Sequence, residues 1–276
     1  MIIFENMQLA NQLGIIKRTI DIESALLQRT VRADCFLPLP ENDHSTIDLL
    51  LINDGQNMEQ LGLGEMLESL ISNKRISPVL CVGIYAGDRI MEYGTTGVLD
   101  YLGRGYKAGL YTRFIMEELI PFIKVTYNIK SFKQKSFAGF SLGGLSALDI
   151  VWNQPHEFRI AGVFSGSLWW RTKSLEDGYN EDTDRIMHAC IRNGNYKRGL
   201  KFFFQTGTLD ETMDRNHNSI IDSIDDTLGL INELEEKGYD VTNDIMYLEL
   251  QEGRHDIATW AKAMPEFLKW GWGRKV

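Results

Sequence analysis

The chain has 276 residues, of which 43% are apolar and 24% are charged, and its formal net charge is −9. A chain of this length and apolar content can bury a large core, so we expect one domain over residues 1–276. The acidic surplus argues against a nucleic-acid partner, and the lack of an apolar run of about 18 residues argues against a membrane span.

Short apolar runs alternate with stretches of helical spacing along most of the chain. The predicted strands are about 16–24, 30–37, 47–52, 78–85, 135–138, 160–164, 200–205 and 244–250. The predicted helices are about 58–73, 107–127 with a kink at Pro121, a helix following Ser141, 180–192, 221–237 ending at Gly238, and 257–270. The first two strands have the apolar alternation of an antiparallel pair, whereas the later continuous runs are typical of buried parallel strands.

This alternation predicts an α/β fold with a mostly parallel, doubly wound sheet and an antiparallel N-terminal edge. In such a sheet the functional groups lie in loops just beyond the carboxyl ends of the strands. A nucleophile and the groups that activate it are therefore expected in those loops.

The hexapeptide 139–144, Gly-Phe-Ser-Leu-Gly-Gly, follows a predicted strand and opens an Ala/Leu-rich helix. The pattern G-x-S-x-G between strand and helix is that of a nucleophile elbow, in which Ser141 stands on a strained turn with its Oγ exposed. Small residues on both sides let the strand and the helix pass closely. By itself the pattern is also compatible with an ordinary glycine-rich turn.

A serine nucleophile needs a general base, and the chain has five histidines. His255 comes directly after the last predicted strand and before the last helix, which is where a base would be expected. The alternative is a histidine at a helix start that interacts with Asp256. His44 and His217 lie in polar loops, and the remaining two are assigned to the end of the elbow helix (His156) and to a helical stretch (His188).

The acid that would orient His255 is expected after the Phe-rich strand near 200–205. Asp210 is the first carboxylate beyond that strand, with Glu211 and Asp214 close enough to compete. The oxyanion hole needs two backbone N–H groups. We expect the first from Leu142, next to the nucleophile, and the second from Gln56 in the loop 53–57, which can equally be an ordinary Asp-Gly turn.

From about residue 16 to residue 270 the chain resembles the esterase branch of the α/β-hydrolases that includes esterase D, enterochelin esterase and feruloyl esterase. The similarity rests on LLLINDGQN, GDRIMEY, GFSLGGLSAL, FSGSLWW, QTGTLDE and GRHDIATW. It implies a triad of Ser141, Asp210 and His255, with the N–H groups of Gln56 and Leu142 as the oxyanion hole. It also implies a small-molecule ester as substrate.

Other residues at strand ends are candidates for substrate binding. Ser167, Trp169 and Trp170 follow a predicted strand and are candidates to line the acyl or alcohol side of the site, while the alternative for the Trp pair is packing in the core. Arg89, Glu92 and Tyr93 also follow a strand and are candidates to recognise a polar substrate; the alternative is that Arg89 and Glu92 form an ion pair that orders the segment up to Gly105.

Residues 214–225 have oxygen-bearing side chains at the spacing of a calcium loop. The candidate ligands are Asp214, Asn216, Asn218, the carbonyl of Ile220, Asp222 and Asp225. Ser219 stands where such loops have glycine, and the last ligand is Asp rather than Glu. The alternative is a polar loop followed by an N-capped helix, so calcium is expected at most in a structural role, and no cofactor is required.

The three cysteines, Cys35, Cys81 and Cys190, are widely spaced and form no C-x-x-C. They are typical of reduced thiols, and the start of the chain lacks the features of a signal peptide, so we expect a cytoplasmic protein. The expected activity is ester hydrolysis through an acyl-enzyme. Acyl transfer on the same triad, or a catalytically silent binding protein with this fold, are the alternatives.

Overall fold

The computed structural model, which describes residues 14–39 and 46–274, contains one eight-stranded sheet. In chain order the strands are β1 (Ile15–Ser24), β2 (Arg29–Pro38), β3 (Thr46–Asn53), β4 (Val79–Ile84), β5 (Ser131–Phe140), β6 (Ile160–Phe164), β7 (Lys201–Leu209) and β8 (Ile245–Arg254). Each predicted strand is present. The start of the chain lies outside the described residues, and the cytoplasmic location and the 1–276 domain extent stay predictions. His44 also lies outside the described residues.

The strand order is β1-β2-β4-β3-β5-β6-β7-β8. β2 is antiparallel to both β1 and β4, and the other neighbouring pairs are parallel. This arrangement confirms the predicted mostly parallel sheet with an antiparallel N-terminal edge, and it is an α/β-hydrolase-like fold. Because the parallel strands all point the same way, the segments that follow β3 to β8 meet at one edge of the sheet.

Except for the short α2, which was not predicted, the helices fall within the stretches where the apolar spacing predicts them. They are α1 (Leu63–Ser72), α2 (Arg89–Glu92), α3 (Ala108–Arg113), α4 (Ile120–Thr126), α5 (Leu142–Asn153), α6 (Glu181–Asp184), α7 (Ile186–Asn193), α8 (Asp222–Glu236) and α9 (Ile257–Trp272). Gly238 follows α8 with a φ of 101°, as a residue that ends a helix often does. Within the described part of the chain, no helix has both the length and the apolarity needed to cross a bilayer.

Pro121 interrupts the long predicted helix in a different way from a simple kink. It lies in the first turn of α4, and the segment immediately before that turn, Phe114–Leu119, is π-helical. Proline has no N–H to bond the preceding turn, and a wider turn accommodates that missing hydrogen bond. The predicted interruption is therefore a π-helical segment between α3 and α4.

The core has two layers, one on each face of the sheet. Along β3, Leu49 and Leu51 belong to one buried cluster and Leu50 and Ile52 to the other, because successive side chains of a strand point to opposite faces. The first cluster is covered by α3 to α5, α7 and α8, and the second by α1 and α9. Burial on both faces explains why these strands are continuous apolar runs.

Candidate active site

Ser141 lies between β5 and α5 in a backbone conformation that is strained for a residue with a side chain. Its φ is 54° and its ψ is −124°, which is otherwise essentially a glycine conformation. Its N–H donates to the carbonyl of Phe164 at 2.8 Å, and its carbonyl accepts the N–H of Ser167 at 3.1 Å. The end of β6 thus holds the turn in place.

The glycines of the elbow are required by close backbone contacts. A Cβ on Gly139 would lie 2.3 Å from the carbonyl oxygen of Gly143, and a Cβ on Gly143 would lie 2.7 Å from Asp54 Oδ2. Real Cβ atoms do not approach other atoms so closely. The interpretation of this hexapeptide as a tight strand–turn–helix junction is therefore confirmed in its backbone geometry.

Asn53, at the end of β3, joins the neighbouring loop to the elbow helix. Its Nδ2 donates to the carbonyl of Gly143 at 2.8 Å, and its Oδ1 accepts the Tyr111 hydroxyl at 2.6 Å. Because Asn53 is completely buried, these bonds are shielded from water. They fix the position of the loop that begins at Asp54 relative to α5.

The two backbone groups predicted for an oxyanion hole lie on either side of this junction. Leu142 is the first residue of α5, and its N–H therefore has no carbonyl partner inside that helix. Gln56 lies in the short helical turn Gly55–Asn57, and its side chain contacts Asp54 and the N–H of Ala86. The turn has a fixed conformation, as a preorganised donor requires.

Arg89 connects this loop to the nucleophile turn. It donates to Asp54 Oδ1 at 2.8 Å, to Asp54 Oδ2 at 3.0 Å and to the carbonyl of Phe140 at 3.2 Å. The predicted ion pair between Arg89 and Glu92 is wrong, because Glu92 is buried and pairs with Arg29. Of the two carboxylates considered as partners of Arg89, the tertiary fold places only that of Asp54 beside it.

Asp210 lies just beyond β7, in a turn closed by a hydrogen bond from its own N–H to the carbonyl of Gly207. Both carboxylate oxygens are buried, and neither accepts a hydrogen bond of normal geometry. Burial raises the pKa of Asp210, while the Gly207 backbone, the Ser165 hydroxyl and His255 act in the opposite direction. The structure thus brings His255 and Asp210 close enough for their charges to interact, without a hydrogen bond between them.

His255 follows β8 and directly precedes Asp256, whose side chain caps α9 by accepting the N–H of Thr259 at 2.8 Å. Loss of surrounding water lowers the pKa of His255, Asp210 raises it and Arg89 lowers it further. The His255 ring packs edge-on against Trp260, with centroids 5.4 Å apart. The alternative role at a helix start belongs to Asp256 rather than to His255.

Sequence reasoning missed Ser165 and Trp260, and it proposed Ser167 only as a wall of the pocket. Ser167 Oγ is 3.3 Å from Ser141 Oγ, and Trp260 Nε1 donates to Ser165 Oγ at 3.0 Å. All three belong to motifs that carry the resemblance, FSGSLWW and GRHDIATW. Their contacts could not be predicted, since they join residues as many as 95 positions apart.

The remaining candidates for substrate binding differ in exposure. Tyr93 and Trp170 are completely buried, and Tyr93 accepts the N–H of Asp54 at 3.2 Å, so neither contacts solvent in this structure. Trp169 is partly exposed and packs against Trp170, with ring centroids 5.7 Å apart. Of the aromatic candidates, only Trp169 is accessible.

The loop 214–225 is closed by its own hydrogen bonds. Asp214 accepts the N–H groups of Asn218 and Ser219, and Asp225 accepts the amide groups of Asn216 and Asn218. In the remainder of the loop, Asp222 pairs with Arg215, and the N–H of Ile220 donates to Asn218.

Across residues 14–39 and 46–274, no group of three or more His, Cys, Asp or Glu side chains is arranged to hold a metal ion. Amide N–H groups, which cannot ligate a cation, face Asp225. The donor set does not fit calcium in this conformation, and calcium binding stays a prediction of the spacing.

The family described as "Putative esterase" matches residues 24–270. The chain belongs to this family. Membership supports a carboxylic-ester hydrolase and confirms the resemblance that implies the site residues.

Among curated proteins, this esterase is 24% identical over 246 residues to the uncharacterized protein YbbA of Bacillus subtilis, covering 86% of this chain and 90% of that protein. It is 30% identical over 154 residues to the iron(III) salmochelin esterase of Escherichia coli, covering 54% of this chain and 36% of that protein.

Two solved structures show the same fold. An enterobactin esterase of Shigella flexneri, solved in the presence of enterobactin, superposes with a TM-score of 0.72 at 20% identity, covering 95% of this chain and 60% of that chain. The BES protein of Bacillus cereus gives a TM-score of 0.66 at 21% identity, covering 92% and 94%. This esterase spans only about three fifths of the Shigella chain, so only the shared fold is established by that likeness.

Proposed function

We propose that the protein hydrolyses small carboxylic esters with Ser141 as nucleophile, His255 as general base and acid, and Asp210 as the residue that orients His255. As the Ser141 oxygen bonds to the ester carbon, His255 takes the serine proton and the carbonyl oxygen becomes an oxyanion. Collapse expels the alcohol, which receives the proton from His255. Water then attacks the acyl-enzyme by the same route and releases the acid.

The observation that carries this proposal is the strained conformation of Ser141. A non-glycine residue at this φ costs on the order of 1–3 kcal/mol, a cost that usually accompanies a functional site. Ser141 follows β5, Asp210 follows β7 and His255 follows β8, so all three lie at the carboxyl-end edge of the sheet. A structural serine would gain nothing from this conformation.

The N–H groups of Leu142 and Gln56 are the proposed oxyanion donors. Leu142 opens a helix of 12 residues, whose dipole also favours negative charge at that end. Asn53 and Arg89 fix the spacing between the Gln56 turn and the elbow through their bonds to Gly143 and Phe140. Donors held in this way need no reorganisation when charge develops on the substrate.

Trp169 is two residues from Ser167, whose hydroxyl contacts that of Ser141, and the aromatic and cationic side chains around Trp169 suit an ester with an aromatic acyl or alcohol part. The Arg104 guanidinium lies 5.4 Å from the Trp169 ring centroid and 5.8 Å from that of Tyr101, and Arg171 lies 5.1 Å from Tyr101. Such cation–aromatic stacks present flat, polarised surfaces on which another ring can pack. The names of the relatives, salmochelin, enterobactin and ferulic acid esterases, point in the same direction.

The test combines turnover with active-site labelling. We expect the protein to hydrolyse p-nitrophenyl acetate, and Ser141→Ala to lower kcat by at least about 1,000-fold. An alkyl fluorophosphonate should add one label to the wild type and to Ser69→Ala, whose exposed serine lies on α1, but none to Ser141→Ala. Methyl ferulate compared with a methyl alkanoate tests the aromatic preference.

A wild-type protein that neither turns over nor takes the label would overturn the proposal and leave a binding role. Added methanol separates the two fates of an acyl-enzyme, since methyl ester instead of free acid as the main product would indicate acyl transfer. Equal labelling of the wild type and Ser141→Ala would place the nucleophile elsewhere.

A further inference from the structure

Trp260 and Ser165 form a buried hydrogen bond at the edge of the proposed site. Trp260 Nε1 is 3.0 Å from Ser165 Oγ, and the two residues are 7% and 1% exposed. Trp260 lies in the first turn of α9, and Ser165 directly follows β6, where its φ of 44° turns the chain sharply. The bond therefore joins the helix that follows His255 to the end of β6, the strand between those that precede Ser141 and Asp210.

The direction of this hydrogen bond is fixed by chemistry. An indole N–H can only donate, so Ser165 Oγ must accept it. The Ser165 hydroxyl proton is then left to point elsewhere. The carboxylate that the Ser165 hydroxyl influences is that of Asp210, so it is the natural acceptor.

Asp210 needs such a donor. Its two oxygens are buried without a hydrogen bond of normal geometry, although an ionised carboxylate offers about four acceptor positions. Side chains that carry a donor and interact with Asp210 include His255 and Ser165. Because no hydrogen bond joins Ser165 Oγ to Asp210 in this structure, the Ser165 side chain must shift toward one carboxylate oxygen, which leaves the other for His255.

Trp260 also contacts the base directly. Its ring meets the His255 ring edge-on at 5.4 Å and stacks on Phe140 at 4.9 Å, one residue before the nucleophile. One side chain therefore touches the base with its ring and reaches the acid through its N–H and Ser165. This geometry is compatible with only a narrow range of orientations for the His255 ring.

We infer that Trp260 and Ser165 are positioning residues that orient the Asp210–His255 couple: Trp260 directs the Ser165 hydroxyl onto Asp210 and supports the His255 ring. The inference rests on the proposed function. Neither residue touches the substrate, and both act through the acid and the base.

The hydrogen bonds from Trp260 to Ser165 and from Ser165 to Asp210, which together form a relay, have a predictable effect on the proton affinity of the Asp210–His255 couple. The Ser165 hydroxyl bonds most strongly to the carboxylate when His255 is neutral, because protonated His255 already neutralises part of its charge. Loss of this donor destabilises the unprotonated couple, so its pKa rises. The other titratable groups that interact with the couple are unchanged by such a substitution; they are Arg89, Asp256, Glu211 and Tyr247.

The test uses Ser165→Ala, Trp260→Phe and the double variant, with Trp272→Phe as the matched control. Trp272 lies in the same helix, is 4% exposed, and its buried Nε1 has no hydrogen-bond partner. We expect Ser165→Ala to lower kcat about 10- to 100-fold, with KM changed little. The midpoint of the acid limb of kcat/KM should shift to higher pH by about half to one unit.

Trp260→Phe should lower kcat about 3- to 10-fold. The double variant should be no slower than Ser165→Ala, since phenylalanine keeps a ring against His255 and removes only the N–H that acts through Ser165. Trp272→Phe should keep the wild-type kcat and pH profile. Fluorophosphonate titration counts active sites in each sample, so rates refer to folded, labelled enzyme.

Additive losses in the double variant would overturn the inference, and so would an unchanged pH profile in Ser165→Ala. If the wild type still takes the label, the proposed function is unaffected by either result. Failure of the wild type to take the label would instead remove the proposed function itself. Full activity in both single variants would show that the Asp210–His255 couple needs no relay.

Discussion

Arg89 binds both carboxylate oxygens of Asp54, at 2.8 and 3.0 Å, and the pair lies between the nucleophile turn and the proposed oxyanion loop. The Asp54 side chain is 3% exposed and that of Arg89 is 32% exposed. Without Arg89, the Asp54 carboxylate would therefore be a buried charge without its cation, which is strongly destabilising. This pair is the tie between the two halves of the candidate site.

We expect Arg89→Met to lower the free energy of unfolding by roughly 2–3 kcal/mol, below the upper range for a fully buried pair because Arg89 keeps part of its water. Urea unfolding measures the loss. Arg113→Met is the control, since Arg113 pairs with Glu117 in solvent and such pairs contribute about 0–1 kcal/mol. Equal losses in the two variants would show that the Asp54 pair has no special importance.

The strain at Ser141 predicts that glycine is more stable than alanine at this position. Both substitutions remove the hydroxyl, but only glycine adopts a φ of 54° without strain. The free energy of unfolding of Ser141→Gly should therefore exceed that of Ser141→Ala by about 1–2 kcal/mol. Ala147→Gly, inside α5, should instead lose at least about 0.5–1 kcal/mol. If Ser141→Gly is the less stable of the two variants, the turn is not strained.

The activity should depend on the protonation of His255, which can accept the serine proton only when neutral. Its pKa is lowered by loss of water and by Arg89, so the acid limb of kcat/KM should have its midpoint below the ordinary value of about 6.5. Removing the cation in Arg89→Met should move this midpoint upward. A midpoint above 6.5 in the wild type would mean that Asp210 outweighs desolvation.

A second histidine should govern the stability of the fold near neutral pH. His188 is fully buried, its Nε2 is 2.8 Å from the Asp226 carbonyl, and burial together with Arg185, Arg192 and Arg215 lowers its pKa well below the ordinary value. The unfolded chain binds this proton at about pH 6.5 and the folded chain does not. Stability is therefore lost as the pH falls below about 6.5.

We expect His188→Gln, which keeps an N–H donor for Asp226, to reduce this pH dependence by up to about 1.4 kcal/mol per pH unit. Urea unfolding at pH 5.5 and pH 7.5 measures the difference, with an unchanged m-value as the check that both proteins unfold alike. An identical slope in the variant would assign the effect to other groups.

Calcium should not change the stability of this chain while the loop 214–225 keeps its hydrogen bonds. Binding would require Asp225 to exchange the amide groups of Asn216 and Asn218 for a cation. We expect 1 mM EGTA or calcium to leave Tm and activity unchanged. A rise in Tm with calcium that Asp214→Asn abolishes would establish the site, since a ligand at 100 times its Kd adds about 2.7 kcal/mol.

Much of the fold could be predicted because the relevant signals are local. Strand and helix positions follow from apolar spacing, and the elbow follows from a hexapeptide in which Gly139 packs against the backbone of Gly143 and Gly144. The ion pair of Arg89 could not be predicted in this way. Glu92 is three residues away and Asp54 is 35, yet Arg89 pairs with Asp54.

The sequence by itself determined the order of strands and helices, the nucleophile candidate and the strand ends after which the acid and the base come. Tertiary structure alone decided which of those ends meet and which polar groups lose their water. It buried Asp210 beside Ser165, placed Trp260 between Ser165 and His255, and removed Tyr93 and Trp170 from solvent. Periodicity along a chain encodes which face of an element is apolar, whereas hydrogen bonds between distant loops depend on packing geometry that no local pattern contains.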